Sequence, residues 1–220
     1  MISAIVFDFD GVLADSEILH LQAYQEVLAP LGVELSRADY FARYLGFDDH
    51  GVFRSLVADR GLALRAGDVE HLIADKAAVF ERLEGGATLL FPGADECVRR
   101  LAAEFPLGIA SGAMRHEIES VLERGVLRDC FHFIVASGDT PSNKPAPDPY
   151  LLAAAMHARA PEACVAIEDS RWGIESARTA GLACIGITHT YPADQLAEAD
   201  TIIQSLDELT PALIRSLRTP

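Results

Sequence analysis

Read for its apolar positions, the chain falls into three stretches. The first, SAIVFDF at 3–9, is β-branched and aromatic and stops at Gly11, which predicts a short buried strand with two aspartates at its carboxyl end. The second, about 16–83, carries apolar residues at helical spacing in segments 16–31, 36–45, 49–60 and 67–83. Ser16 is an N-cap candidate there, Gly32 a helix stop, and Gly46, Gly51, Gly61 and Gly67 punctuate the rest. No strand pattern interrupts it, so it predicts a small helical bundle. The third, from Phe91 onward, alternates the two types. Helices are expected at 94–104, 115–124, 148–158, 172–180 and 206–217. Strands are expected at 107–111, 131–137, 164–169, 183–189 and 201–205. Short continuous apolar runs separated by helices are the signature of a parallel sheet covered on both faces. The first strand must join that sheet, which makes the helical stretch an insert.

In an open parallel sheet the ligand site lies beyond the carboxyl ends of the strands. Those ends carry Asp8 and Asp10, then Ser111 and Gly112, then a loop through Ser137, Gly138 and Asp139 to Asn143 and Lys144, then Glu168, Asp169 and Ser170. Crowded carboxylates raise each other's pKa and stay ionised only beside a cation. An all-oxygen donor set suits a hard ion such as Mg²⁺. Ser111, a backbone N–H near Gly112 and the Lys144 ammonium are suited to phosphoryl oxygens, where transfer needs positioning and charge stabilisation. One carboxylate can attack phosphorus while a second, two residues on, moves the proton.

Taken together these residues resemble the haloacid dehalogenase superfamily, along essentially the whole chain. DFDGV (8–12) is similar to its first motif, Ser111 after an apolar strand to the second, Lys144 in SNKPAPDPY to the third, and Glu168–Asp169 in EDSRWG to the acidic fourth. The resemblance implies an α/β fold: a Rossmann-like parallel-sheet core over 1–15 and 88–220, and a helical-bundle cap over 16–87 that closes on the site. It implies Asp8 as nucleophile and metal ligand, and Asp10 as general acid/base with its carbonyl on the metal. Ser111, Gly112 and Lys144 would hold the phosphoryl group. Glu168 and Asp169 would complete the Mg²⁺ site, with Asp169 ahead of Glu168 as direct ligand. Dehalogenases of the superfamily lack the second aspartate, and its phosphonate hydrolases carry a different residue there. The nearest likeness is to sugar-phosphate phosphatases and β-phosphoglucomutases. His20 matches a hinge histidine of the mutase, but YLGFDDHG (44–51) has acids where the mutase cap loop has Lys and Arg, which favours hydrolysis.

Further candidates are Arg115, for a distal substrate group, Asp48, Asp49 and His50 in the insert, and Trp172 beside the acidic motif. Asp15, Ser16 and Glu17 read as hinge and helix-cap residues, and Gly173 and Gly181 as packing and helix-stop residues. The acidic insert loop suits a hydroxyl-rich substrate such as a sugar or polyol phosphate.

Composition narrows the partners. The net charge of −15 repels nucleic acid and anionic lipid. The N-terminal apolar run is too short for a signal peptide and no 18-residue apolar run exists, so a cytoplasmic enzyme is expected. The four cysteines form no C-x-x-C pair and read as buried reduced thiols. The expectation is an Mg²⁺-dependent phosphatase acting on a small phosphorylated metabolite, with no nucleic-acid or membrane partner, as monomer or weak homodimer. The alternatives are a phosphosugar mutase and a non-catalytic phosphate-binding protein.

Overall fold

A computed structural model of the chain describes residues 1–45, 47–62, 67–86 and 89–217. The expected punctuation at Gly46 and the 87/88 domain boundary lie outside the described residues. The chain divides into two compact units, Met1–Asp15 with Leu90–Pro220, and Ser16–Leu89.

The first unit is built on six parallel strands in the order β3-β2-β1-β4-β5-β6: β1 Ala4–Phe7, β2 Leu107–Ala110, β3 Phe131–Val135, β4 Cys164–Glu168, β5 Ala183–Ile187 and β6 Thr201–Ile203. Every residue of β1, β2, β4 and β5 is buried. With both faces covered there is no polar face to alternate with, which is why these strands read as continuous apolar runs. Helices α5 (Ala94–Ala102), α6 (Arg115–Arg124), α7 (Asp148–Met156), α8 (Arg171–Thr179) and α9 (Pro211–Ser216) complete the unit. In α5 the buried residues are Ala94, Cys97, Val98 and Leu101, a stripe at helical spacing. From β1 the chain works outward through β2 and β3, returns to β4 on the other side of β1, and works outward again. The reversal leaves a crevice at the carboxyl ends of β1 and β4.

The strands end earlier than the apolar runs, because the terminal residues of each run turn into loops. The helix expected over 206–217 is instead a 3₁₀ turn, Leu206–Glu208, followed by α9. Pro211 has no N–H to continue a helix and sits at the first position of a new one, capped by the Thr210 hydroxyl accepting from Leu213 N at 3.2 Å. Cys97, Cys164 and Cys184 are buried free thiols as expected, but Cys130, at the exposed approach to β3, is half-buried.

The second unit contains α1 (Glu17–Leu28), α2 (Arg37–Asp39) running into a π-helical turn (Tyr40–Tyr44), α3 (Asp49–Arg60) and α4 (Asp68–Glu84). Its core joins Leu21, Tyr24 and Leu28 to Tyr40, Tyr44, Val52, Phe53, Leu56 and Ile73. Asp48 caps α3, accepting from Gly51 N at 2.9 Å. Ser16 precedes α1 but makes no side-chain capping bond. Among the described residues no helix is long and apolar enough to cross a membrane.

Candidate active site

The residues at the strand ends inherit their aim from the sheet. Asp8 follows β1, yet its N–H still bonds Ile167 O at 2.9 Å, and Ser111 N after β2 still bonds Val135 O at 3.0 Å. After Asp8 the chain turns sharply: Leu13 N and Ala14 N both donate to Phe9 O, and Gly11 takes φ +74°. A side chain at Gly11 is excluded twice over. The left-handed backbone disfavours it, and a Cβ there would stand 1.8 Å from Asp169 Oδ2. The outgoing and returning chains then run side by side, with Ala14 bridged to Leu90 and Phe91 N donating to Leu13 O at 2.9 Å.

Lys144 sits in the loop before α7, following Asn143, whose carbonyl accepts from Ala146 N at 2.9 Å. The Ser176 hydroxyl donates to Ala146 O at 2.5 Å and ties this loop to α8. The buried ammonium lies 2.9 Å from Asp8 Oδ1 and 2.7 Å from Glu168 Oε1. Asp8, Glu168 and Asp169 each offer an oxygen within 4.8 Å of the others. Ser111 Oγ accepts from Ala113 N at 3.1 Å, across the bend that holds Gly112.

Burial pushes the Asp8 carboxyl up to about 7; Lys144 opposes that rise, while Glu168 and Asp10 add to it. Burial works against the Lys144 charge, but Asp8 and Glu168 together raise its pKa above the usual lysine value. Three carboxylates against one ammonium leave excess negative charge in a buried place. The donors are all oxygen, and that chemistry fits a hard divalent cation.

Asp8, Ser111, Lys144, Glu168 and Asp169 are thus carried on the carboxyl edge of one sheet, with Asp10 in the turn after Asp8. Arg115 is engaged elsewhere on that edge: its guanidinium donates to Ile134 O at 2.9 Å and Asp139 Oδ2 at 2.6 Å, bracing the loop after β3. Trp172 packs edge-on against Tyr191, with the Arg171 guanidinium 4.4 Å from its ring. His20, Asp48 and Asp49 belong to the second unit. There His20 stacks on Phe80 at 4.2 Å, and its Nδ1 lies 2.8 Å from Lys76 Nζ. Asp49 pairs with Lys76 at 3.1 Å and accepts from the Tyr24 hydroxyl.

Sequence reasoning passed over Lys76 and Tyr150, both buried. Lys76 lies in an ordinary polar-looking stretch of α4 yet is 1% exposed. Tyr150, within the quoted KPAPDPY string, is fully buried and donates to Glu168 Oε1 at 2.5 Å. Only its aromatic character amid prolines and polar residues hinted at it.

Three acids and a shared lysine thus stand at the carboxyl edge of a parallel sheet whose strand order reverses between β1 and β4. The chain belongs to the haloacid dehalogenase-like hydrolases, whose family model matches residues 5–187. It is 33% identical to protein CbbY of Rhodobacter capsulatus over 98% of this chain and 99% of that one. It is also 33% identical to hexitol phosphatase B of Escherichia coli K12, covering 95% of each. Among solved structures it superposes on a β-phosphoglucomutase from Clostridium difficile with TM-score 0.89 at 21% identity, over 98% of this chain and 96% of that one, a likeness of fold.

Proposed function

We propose that the protein is an Mg²⁺-dependent phosphatase that hydrolyses a small phosphate monoester, a sugar or polyol phosphate, through an aspartyl-phosphate on Asp8. The observation that carries this reading is the Lys144 ammonium held between Asp8 and Glu168. Lys144 opposes the rise that burial gives the Asp8 carboxyl and so favours its ionised, nucleophilic form, and the same charge serves the incoming phosphoryl oxygens. An Asp8 oxygen attacks phosphorus, the ester P–O bond breaks, and Asp10 gives its proton to the leaving alcohol. Asp10 then takes a proton from water, which attacks the aspartyl-phosphate and frees Asp8 and inorganic phosphate. Ser111 and the N–H groups beside Gly112 hold the transferred group.

Asp8, the Asp10 carbonyl and Asp169 would hold Mg²⁺, with Glu168 completing the acidic set. When bound, the ion offsets the carboxylate charge and withdraws charge from a phosphoryl oxygen. The relatives' names support the phosphatase reading: one is a hexitol phosphatase. A mutase needs cations for a second, distal phosphate, whereas in the second unit Asp48 caps α3 and Asp49 is paired with Lys76. The enzyme acts in the cytoplasm as a monomer or weak homodimer, without nucleic-acid or membrane partners.

Phosphate release from a panel of sugar and polyol phosphates, with Mg²⁺ and with chelator, tests the reading in the parent and in Asp8→Asn. Mg²⁺-dependent release that disappears in Asp8→Asn is expected. Undiminished release by Asp8→Asn refutes the role of Asp8. No release from any ester by the parent, with isomerisation in the presence of a sugar bisphosphate, would make the protein a mutase.

A further inference from the structure

Tyr150 stands against both charged groups that define the phosphoryl site, and no step of the chemistry above uses it. It lies in the first turn of α7, six residues after Lys144, and is 0% exposed. Its hydroxyl donates to Glu168 Oε1 at 2.5 Å, the same oxygen that Lys144 Nζ approaches at 2.7 Å. Its ring presents a centroid 5.1 Å from that ammonium, within the range of a cation–π contact. One aromatic side chain thus contacts the lysine with its ring and the lysine's carboxylate partner with its hydroxyl.

Glu168 has little freedom on its other side. A Cβ on Gly173, in the first turn of α8, would stand 1.9 Å from Glu168 Cδ and 2.0 Å from both carboxylate oxygens. The Ser170 hydroxyl adds a long contact of 3.5 Å to Oε2. The carboxylate is therefore clamped between the bare backbone of α8 and the Tyr150 hydroxyl. An ammonium has three N–H donors. In this arrangement one faces Asp8 and one faces Glu168, which leaves a third.

We propose that Tyr150 is a positioning residue of the phosphoryl site, whose hydroxyl satisfies Glu168 and whose ring orients Lys144, so that Lys144 keeps one donor for the substrate's phosphoryl oxygens. Without the hydroxyl, a fully buried carboxylate loses a charged hydrogen bond and draws more heavily on its remaining strong donor. The ammonium then leans toward Glu168 and away from Asp8 and the anion. The inference rests on the phosphoryl-transfer reading of the site but is separable from it, because it is read out by anion binding.

The test compares the parent, Tyr150→Phe and Tyr150→Leu. Calorimetry gives the affinity for inorganic phosphate in saturating Mg²⁺ and, separately, the affinity for Mg²⁺ alone; thermal melts and ester hydrolysis accompany it. Tyr150→Phe keeps the ring and is expected to bind phosphate roughly tenfold more weakly, the range of one hydrogen bond to a charged group. KM should rise by a similar factor, with Mg²⁺ affinity held. Tyr150→Leu, which also loses the ring, should bind phosphate more weakly still. Parent-like phosphate affinity in Tyr150→Phe overturns the proposal. So does a joint loss of phosphate and Mg²⁺ affinity with a lowered Tm, which is the mark of a purely structural role. A parent that binds phosphate yet hydrolyses no ester sinks the phosphatase reading and leaves the Tyr150 comparison standing.

Discussion

Gly11→Ala places the largest expected loss on a single methyl group. The added Cβ would stand 1.8 Å from Asp169 Oδ2, 2.5 Å from Asp169 Cγ and 2.6 Å from Thr190 Oγ1. Real Cβ contacts essentially never fall below 3.0 Å, so the carboxylate must retreat by about 1.2 Å. Asp169 has nowhere easy to go: it is buried, and the next residue, Ser170, caps α8 by accepting from Gly173 N at 3.2 Å. A reacting constellation displaced by about 1 Å loses on the order of 10²-fold in rate, equivalent to about 2.7 kcal/mol on the barrier. The backbone adds its own cost, since φ at position 11 is +74° and a left-handed L-residue costs roughly 1–2 kcal/mol. For a protein of this length that is a drop of several degrees in Tm, at about 2–4 °C per kcal/mol. The assay is initial-rate phosphate release across an Mg²⁺ titration, paired with thermal melts. We expect a folded variant with kcat/KM down about 10²-fold and a raised Mg²⁺ requirement. Gly181→Ala separates strain from collision: φ there is +88°, but the nearest atom to a new Cβ is Pro161 Cβ at an ordinary 3.5 Å. It should lose similar stability and keep its turnover. A Gly11→Ala enzyme with parent turnover and parent Mg²⁺ saturation would refute the packing of the aspartate loop against Asp169.

Two further perturbations probe charge buried away from the strand ends. Asp49→Ala strips the carboxylate from the buried Lys76 ammonium and is expected to cost about 3 kcal/mol in denaturant unfolding, with most of it regained when Lys76→Met removes the charge as well; a single variant as stable as the parent counts against the pairing. Burial lowers the pKa of His157 below 6.5, and His132 and Arg159 push the same way, although its bond to Ile5 O opposes the shift. The unfolded chain therefore takes up this proton at higher pH than the folded protein, so the stability tied to neutral His157 is complete above 6.5 and is lost as pH falls below it. His157→Gln keeps a donor for Ile5 O and removes the titration. Its Tm should fall less than the parent's between about pH 7.5 and about pH 5, and equal falls would contradict the assignment.

The sheet was legible because strands buried on both faces leave an unmistakable apolar run, and each run here ends in polar residues. Asp8, Ser111, Lys144 and Glu168 could be placed at one edge from that pattern alone. The strand order was not legible, since an apolar run says nothing about which neighbour it pairs with; the reversal between β1 and β4 is a property of pairing. The break in the 206–217 helix was marked by Thr210 and Pro211, but the apolar periodicity running through both masked it. Lys76 and Tyr150 were missed for a common reason. Periodicity reports which face of a helix is apolar, and both residues break the rule by burying a polar group against a specific partner. The acids of the 44–51 loop were read as candidate substrate contacts by position; the packing roles of Asp48 at a helix end and Asp49 beside a buried lysine were not legible there.

A chain carrying −15 net charge handles an anion by confining the problem to a few fixed atoms. At a surface, screening and solvent would dilute one lysine among so many acids. Buried at the sheet edge, Lys144 faces its partners at 2.7 and 2.9 Å, where its charge acts over short distances with little water between. The geometry holds because the ladder continues one residue past the strands: Asp8 N still bonds Ile167 O, and Ser111 N still bonds Val135 O. Asp8, the proposed nucleophile, and the Ser111 hydroxyl are aimed by backbone pairing that every apolar residue of the sheet helps to maintain. Asp10, two residues beyond Asp8, lies past that ladder in the Gly11 turn. The division suits the proposed chemistry: the group that would bond to phosphorus is held by the sheet, and the group that would move a proton to and fro stands in the turn.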